Sequence, residues 1–198
     1  GVMPISSIAS QAWISANIAE LTPPLQWTRL EGGHSNLTYL IEGTLGRKAV
    51  IRRPPMGDLL PKAHDMAREW ALISALGKTA VPVPRALGFC ADTSVTGAMF
   101  YVMSHVDGHP LYSAADADTW APPPLRKEIA HSFIDVLAEL HSIAPDSVGL
   151  GGLGKKDDYI GRQLKTWYRS WNASITGAQL DDARAHALQA YLLEHVPE

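Results

Sequence analysis

The chain has 198 residues, of which 46% are apolar and 19% charged, with a formal net charge of −3. That length supports one large domain or two small lobes whose core needs no staples. The balance is that of a soluble globular protein, and the absence of a basic stripe argues against nucleic acid as the main partner. No apolar run approaches the roughly 20 residues that span a bilayer. The N-terminal residues lack a basic region followed by an apolar stretch, so the expected setting is cytoplasmic, with no membrane partner. The single cysteine, Cys90, lies in the apolar run Ala86-Leu87-Gly88-Phe89-Cys90 and reads as a buried structural thiol.

In chain order, residues 7–20 predict a helix capped by Ser6 or Ser7, with Ile8, Ala12 and Ala16 on one face and Pro23-Pro24 as its stop. Strands are predicted at 25–30, at 35–42 with Leu37, Tyr39 and Ile41 alternating to one side, and at 48–52. Residues 43–46 close a hairpin between the last two. A helix over 62–76 carries Met66, Trp70, Ile73 and Leu76 at helical spacing and ends at Gly77, with Glu69 beside the apolar face. Two further strands, 85–90 and 98–104, are joined by a turn containing Thr96-Gly97.

From residue 105 to 124 the composition shifts to Gly, Pro, Asp and Ala, which reads as a connector with a short helix at 114–119. Helical periodicity then runs over 125–143 (Ile129, Phe133, Val136, Leu137 and Leu140), 158–171 (Ile160, Leu164, Trp167 and Trp171) and 180–195 (Ala183, Ala187 and Tyr191). A glycine-rich loop is expected at 149–154. The predicted class is α+β. Residues 1–104 form a lobe with a five-stranded antiparallel sheet and one internal helix, 105–124 a hinge and connector, and 125–198 the beginning of a helical lobe. This order is that of protein-kinase-like bilobal folds, in which nucleotide binds between the lobes.

The stretch Gly32-Gly33-His34-Ser35-Asn36 enters the second strand, and Arg52-Arg53-Pro54-Pro55 leaves the third. Glycines without Cβ atoms permit close approach of a ligand to the backbone. Ser35 and Asn36 add short polar groups, and backbone N–H groups gathered in such a turn make an anion nest. Gly-Gly followed by polar residues is equally an ordinary hairpin turn, so the flanking chain decides the matter. His105 and His109 flank Asp107, but Gly108 and Pro110 disfavour a helix there and no third ligand is evident, so no metal site is expected.

Several segments, taken together and in order, resemble the aminoglycoside phosphotransferase-like (choline-kinase-like) small-molecule kinases. They are Gly-Gly-His-Ser-Asn-Leu-Thr-Tyr at 32–39, Val50-Ile51-Arg52-Arg53-Pro54-Pro55, Arg68-Glu69-Trp70, the run from Phe100 to Gly108, Leu137-Ala138-Glu139-Leu140-His141, and Gly161-Arg162-Gln163-Leu164-Lys165-Thr166-Trp167. The branch they match is the phosphotransferase domain found alone in bacteria or fused to acyl-CoA dehydrogenases.

The resemblance implies that Gly33, His34, Ser35 and Asn36 form the turn over a nucleotide's phosphates. It makes Arg52 the strand cation, with Glu69 as its ion-pair partner; the wider kinase pattern has lysine there. Arg53 is expected to share the work. Ser104 and Val106 would offer hinge backbone groups to a purine, with Met103 packed behind it. The implied cofactors are ATP or GTP and Mg²⁺, and the implied acceptor is a hydroxyl of a small metabolite. Hydroxy-acyl or other hydroxy compounds rank ahead of aminoglycosides, selected by 149–158 and the face bearing Tyr159, Gln163 and Trp167. The family's His-Gly-Asp catalytic loop is absent from the sequence, so no catalytic or metal-binding residue is assigned. The chain is expected to be the N-terminal part of a longer kinase, inactive alone, which would leave Leu180, Tyr191 and Leu192 exposed. The alternative is a non-catalytic nucleotide-binding or interaction module.

Overall fold

A computed structural model of the chain describes residues 5, 7–31, 36–55, 65–175 and 181–197. They fall into two compact units, Gly1–Gly151 and Gly152–Glu198, so the 105–124 connector belongs to the first.

The first unit is built on five antiparallel strands: β1 (Gln26–Arg29), β2 (Leu37–Glu42), β3 (Lys48–Arg53), β4 (Ala86–Cys90) and β5 (Phe100–Ser104), in the order β1-β2-β3-β5-β4. The β2–β3 hairpin closes through Gly43 N–H donating to the Arg47 carbonyl at 2.9 Å, and its turn takes Leu45 and Gly46 into left-handed geometry (φ 63° and 67°). Pro54 and Pro55 offer no N–H and stop β3.

Register decides which side chains share a face, because side chains alternate along a strand. Tyr39 faces Ile51, Ile41 faces Ala49, Ile51 faces Val102, and Cys90 faces Phe100. This face is apolar and receives helix α1 (Ile8–Asn17), whose Ile14, together with Ile18 and Leu21 after it, completes the core. Trp13 meets the Phe100 ring edge-on at 4.9 Å. Ser7 caps the helix by accepting from Ser10 N–H.

The face of α1 differs from the predicted one: Ile8 is 88% exposed and Ala12 and Ala16 are exposed, while Ser10, Ile14 and Ile18 are buried. The buried set is offset by two residues, roughly half a turn, and carries Ile14 and Ile18 where the predicted face carries Ala12 and Ala16, so burying it removes more apolar area from water.

The opposite face of the sheet receives α2 (Met66–Leu76), capped by the Asp65 carboxylate on Arg68 N–H. Trp70 stacks on Phe89 at 6.0 Å and lies 6.3 Å from Tyr101. Gly77 ends α2 in right-handed geometry, and an added Cβ there would stand 3.1 Å from the Ile73 carbonyl.

Beyond β5, α3 (Ala114–Trp120) begins with a reciprocal Ser113–Asp116 capping box, and α4 (Pro123–Ser142) follows. On α4, Val136 and Leu137 are half-buried, whereas Phe133 is 67% exposed. One short 3-10 turn, Pro145–Val148, precedes the glycine-rich stretch, and a second, Gly151–Leu153, lies within it.

The second unit pairs α5 (Tyr159–Ser174) with α6 (Asp182–Glu194). Trp171 Nε1–H donates to Asp182 Oδ1 at 2.9 Å, Asp182 Oδ2 lies 2.9 Å from His186 Nε2, and His186 Nδ1 is 2.6 Å from the Tyr168 hydroxyl. Tyr191 and Leu192 are exposed, while Leu180 lies outside the described residues. No helix among the described residues is long and apolar enough to cross a membrane.

Candidate functional site

The α2 face of the sheet carries a row of opposed residues: Thr38 on β2 faces Arg52 on β3, Arg52 faces Tyr101 on β5, and Tyr101 faces Phe89 on β4. Opposed residues in antiparallel strands project from the same face. Arg52 is therefore the one charged member of an otherwise uncharged row, and α2 lies across it.

Helix α2 docks by its own sequence. Trp70 covers Phe89 and Tyr101, which brings the adjacent Glu69 over Arg52, with Arg52 Nη1 and Glu69 Oε1 3.6 Å apart. Arg52 Nε–H donates to Thr38 Oγ1 at 3.3 Å. Asn36 Nδ2–H reaches Glu69 Oε1 at 3.5 Å, joining the start of β2 to the helix. Both charged side chains are about one-third exposed, at 33% and 32%. Arg52 is thus held on two sides yet open to a ligand.

Tyr101 is 2% exposed and stands directly opposite Arg52 in the sheet. Burial pushes its phenol above the ordinary value; the Arg52 guanidinium pulls it down and the Glu69 carboxylate pushes it up again.

Arg53 does not share this site. Strand alternation sends it to the α1 face, where it is 3% exposed, its Nε–H donates to the Pro54 carbonyl at 2.9 Å, and its Nη1–H donates to the Thr96 carbonyl at 2.5 Å. Burial holds its guanidinium below the ordinary value. Its work is structural: it ties the end of β3 to the β4–β5 turn, in which Gly97 takes a φ of 89°.

Among the remaining predicted site residues, Gly33, His34 and Ser35 lie outside the described residues. Met103 sits in β5 opposite Val50, on the same face as Arg52's row. Ser104 N–H is taken by the Arg85 carbonyl at 2.9 Å, and its hydroxyl accepts from Arg85 N–H at 2.8 Å. Val106 is 61% exposed just beyond the strand.

His105 Nδ1 lies 3.4 Å from Asp107 Oδ1, whereas His109 stacks on Trp120 with ring centroids 3.4 Å apart. Among the described residues no three His, Cys, Asp or Glu side chains come together as a metal site. Cys90 is buried, and burial pushes its thiol up, as suits an inert core residue. In the second unit, Trp167 and Tyr159 are exposed at 70% and 65%, and Trp167, Trp171, Leu188 and Arg184 line a groove of about 640 Å³ between α5 and α6.

Thr38 and Tyr101 were not singled out in the sequence as site residues. The available signal was their strand offset from Arg52, which becomes usable only once register is known.

The model of the phosphotransferase enzyme family, APH, matches residues 26–198. Acyl-CoA dehydrogenase family member 10 of Mus musculus is 35% identical over 158 residues, covering 79% of this chain and 14% of that protein. Acyl-CoA dehydrogenase family member 11 of Homo sapiens is 34% identical over 183 residues, covering 91% and 22%. The chain thus spans between 14% and 22% of the length of these two relatives. A crystal structure from Ralstonia eutropha, of a protein assigned as an aminoglycoside phosphotransferase, superposes with a TM-score of 0.74 at 28% identity, covering 96% of this chain and 53% of that one. With its five-stranded antiparallel sheet and internal helix matched along nearly its whole length, the chain belongs to the APH phosphotransferase enzyme family and has that family's kinase-like fold.

Proposed function

We propose that this chain supplies the nucleotide-binding part of a kinase that transfers the γ-phosphoryl group of ATP, or of GTP, to a hydroxyl of a small metabolite. The observation that carries the reading is the Arg52–Glu69 pair, 3.6 Å apart on the α2 face of the sheet. Kinases place a strand cation paired with a helix glutamate against the phosphates.

The donor set suits a polyanion. Arg52 commits Nε to Thr38 and turns Nη1 toward Glu69, while its partial exposure leaves guanidinium N–H groups for phosphate oxygens. In such a transfer magnesium neutralises phosphate charge; its ligands and the base that deprotonates the acceptor are not assigned to residues of this chain. The nucleotide's base would meet the end of β5, with Met103 behind it and backbone groups at Ser104 and Val106 toward its edge. Because the Ser104 N–H is already bonded to Arg85, Ser104 would contribute its carbonyl.

The matched relatives are named for acyl-CoA dehydrogenases. This supports hydroxy-acyl or other hydroxy compounds as acceptors ahead of aminoglycosides, which carry several positive charges and favour an acidic pocket. The proposal includes a cytoplasmic setting.

Titration calorimetry with ATP, GTP and magnesium tests the reading on the chain and on Arg52→Ala. Binding on the order of micromolar that the substitution abolishes supports it. A folded chain that binds neither nucleotide overturns it.

A further inference from the structure

Arg52 occupies the middle of a three-strand row, with a hydroxyl-bearing side chain on each side: Thr38 on β2 and Tyr101 on β5. Directly opposed residues have Cβ atoms about 4.5–5.5 Å apart, so both neighbours flank the arginine side chain along its length. Thr38 Oγ1 takes the Nε–H at 3.3 Å. Tyr101 is held on its far side by Phe89, the next member of the row, and from above by Trp70, with ring centroids 6.3 Å apart. At 2% exposure it has little room to move.

These supports matter because the cation is an arginine. A lysine ammonium is a point charge, and bringing it near a phosphate is enough. A guanidinium is a planar fork, and how well it holds a phosphate depends on which edge it presents. Thr38 fixes the Nε end of the plane, Glu69 holds Nη1, and Tyr101 closes the side toward β5. These contacts restrict rotation about the end of the side chain before any ligand arrives, so the ordering cost at binding falls.

We propose that Thr38 and Tyr101 are positioning residues for phosphate binding, fixing the plane of the Arg52 guanidinium so that its uncommitted N–H groups are held ready for a nucleotide's phosphates. This rests on the nucleotide-binding reading above. Arginine at position 52 and its two hydroxyl neighbours then form one unit, and Thr38 acts through Arg52 without touching the ligand.

The test is calorimetry on the full chain with ATP plus magnesium and, separately, with adenosine, for the unsubstituted protein, Thr38→Val, Thr38→Ser, Tyr101→Phe and Arg52→Ala, each checked by thermal unfolding. Loss of a hydrogen bond to a charged group translates into about a tenfold weakening of ATP binding for Thr38→Val, and removal of the Tyr101 hydroxyl beside Arg52 weakens it in the same direction, with adenosine binding unchanged within about twofold for both. Thr38→Ser keeps the hydroxyl and retains the original ATP affinity. A merely structural role predicts equal losses for ATP and adenosine together with a lower melting temperature, and that result overturns the inference. Should Tyr101→Phe fail to fold, the Thr38→Val and Thr38→Ser pair, at a half-buried site, decides the matter. ATP binding lost in Arg52→Ala but intact in Thr38→Val and Tyr101→Phe overturns the inference and leaves the nucleotide reading standing. No ATP binding by the folded unsubstituted chain overturns both.

Discussion

Arg52 and Arg53 are consecutive in β3 and leave the sheet from opposite faces: Arg52 reaches Glu69 on α2, and Arg53 is buried against the backbone carbonyls of Pro54 and Thr96. Two adjacent cations of the same type therefore carry different work. Arg53→Ala leaves two buried carbonyls without their donor and is expected to destabilise the first unit by about 2–4 kcal/mol. Arg52→Ala removes a partly exposed pair and shifts stability by no more than about 1 kcal/mol. Urea unfolding of the two variants measures the contrast; equal effects would contradict the assignment of the two faces.

The docking face of α1 is open to a similar comparison. Ile14 is fully buried in the core cluster, whereas Ile8 is 88% exposed. Ile14→Ala should cost about 2–5 kcal/mol through lost burial and the cavity left behind, and Ile8→Ala should fall within about 0.5 kcal/mol of the unsubstituted protein. The predicted face containing Ile8, Ala12 and Ala16 requires the reverse order, so denaturation midpoints separate the two arrangements.

The β2–β3 turn contains two glycines needed for different reasons. A Cβ on Gly43 would stand 2.9 Å from the Thr22 carbonyl oxygen and 3.0 Å from its nitrogen, both backbone atoms that cannot swing aside, while Gly46 has open space around it but a φ of 67°. Gly43→Ala is expected to destabilise by about 1–3 kcal/mol through crowding. Gly46→Ala should cost about 1–2 kcal/mol through its left-handed backbone. Asparagine distinguishes the causes: at position 46 it recovers part of the loss because it tolerates that region, and at position 43 it is worse than alanine.

The α5–α6 pair is acid-sensitive in a definable window. The Trp171 indole N–H bonded to Asp182 holds that carboxyl below its ordinary value of 3.8, helped by His186 and opposed by partial desolvation. A depressed carboxyl stabilises the fold above its unfolded value and loses that contribution as pH falls through the lower, folded value. The stability difference between the protein and Trp171→Phe should therefore be full at neutral pH and shrink as pH drops below about 3.8. Helical circular dichroism followed through acid titrations of both proteins measures it; a difference that persists undiminished at low pH would detach the bond from the carboxyl's ionisation.

Sequence alone determined the elements and their order. Proline pairs, glycine turns and the alternation of Leu37, Tyr39 and Ile41 mark strands whose β-β-β-α-β-β sequence admits few topologies, and helical spacing of Met66, Trp70 and Ile73 sets the one helix inside the sheet. Resemblance to a family added the pairing of Arg52 with Glu69, which stands at 3.6 Å.

What only the tertiary structure decided is which face each residue serves. Side chains alternate every residue along a strand, so a one-residue shift of register would exchange Arg52 with Arg53 and dissolve the Thr38–Arg52–Tyr101 row. Register is set by the packing of both faces at once, α1 on one and α2 on the other, and those contacts join residues far apart in the chain. A cap, a turn or a period is written within a few neighbouring residues. The flanking of one arginine by hydroxyls from two other strands is written nowhere locally, because it exists only after the sheet has closed.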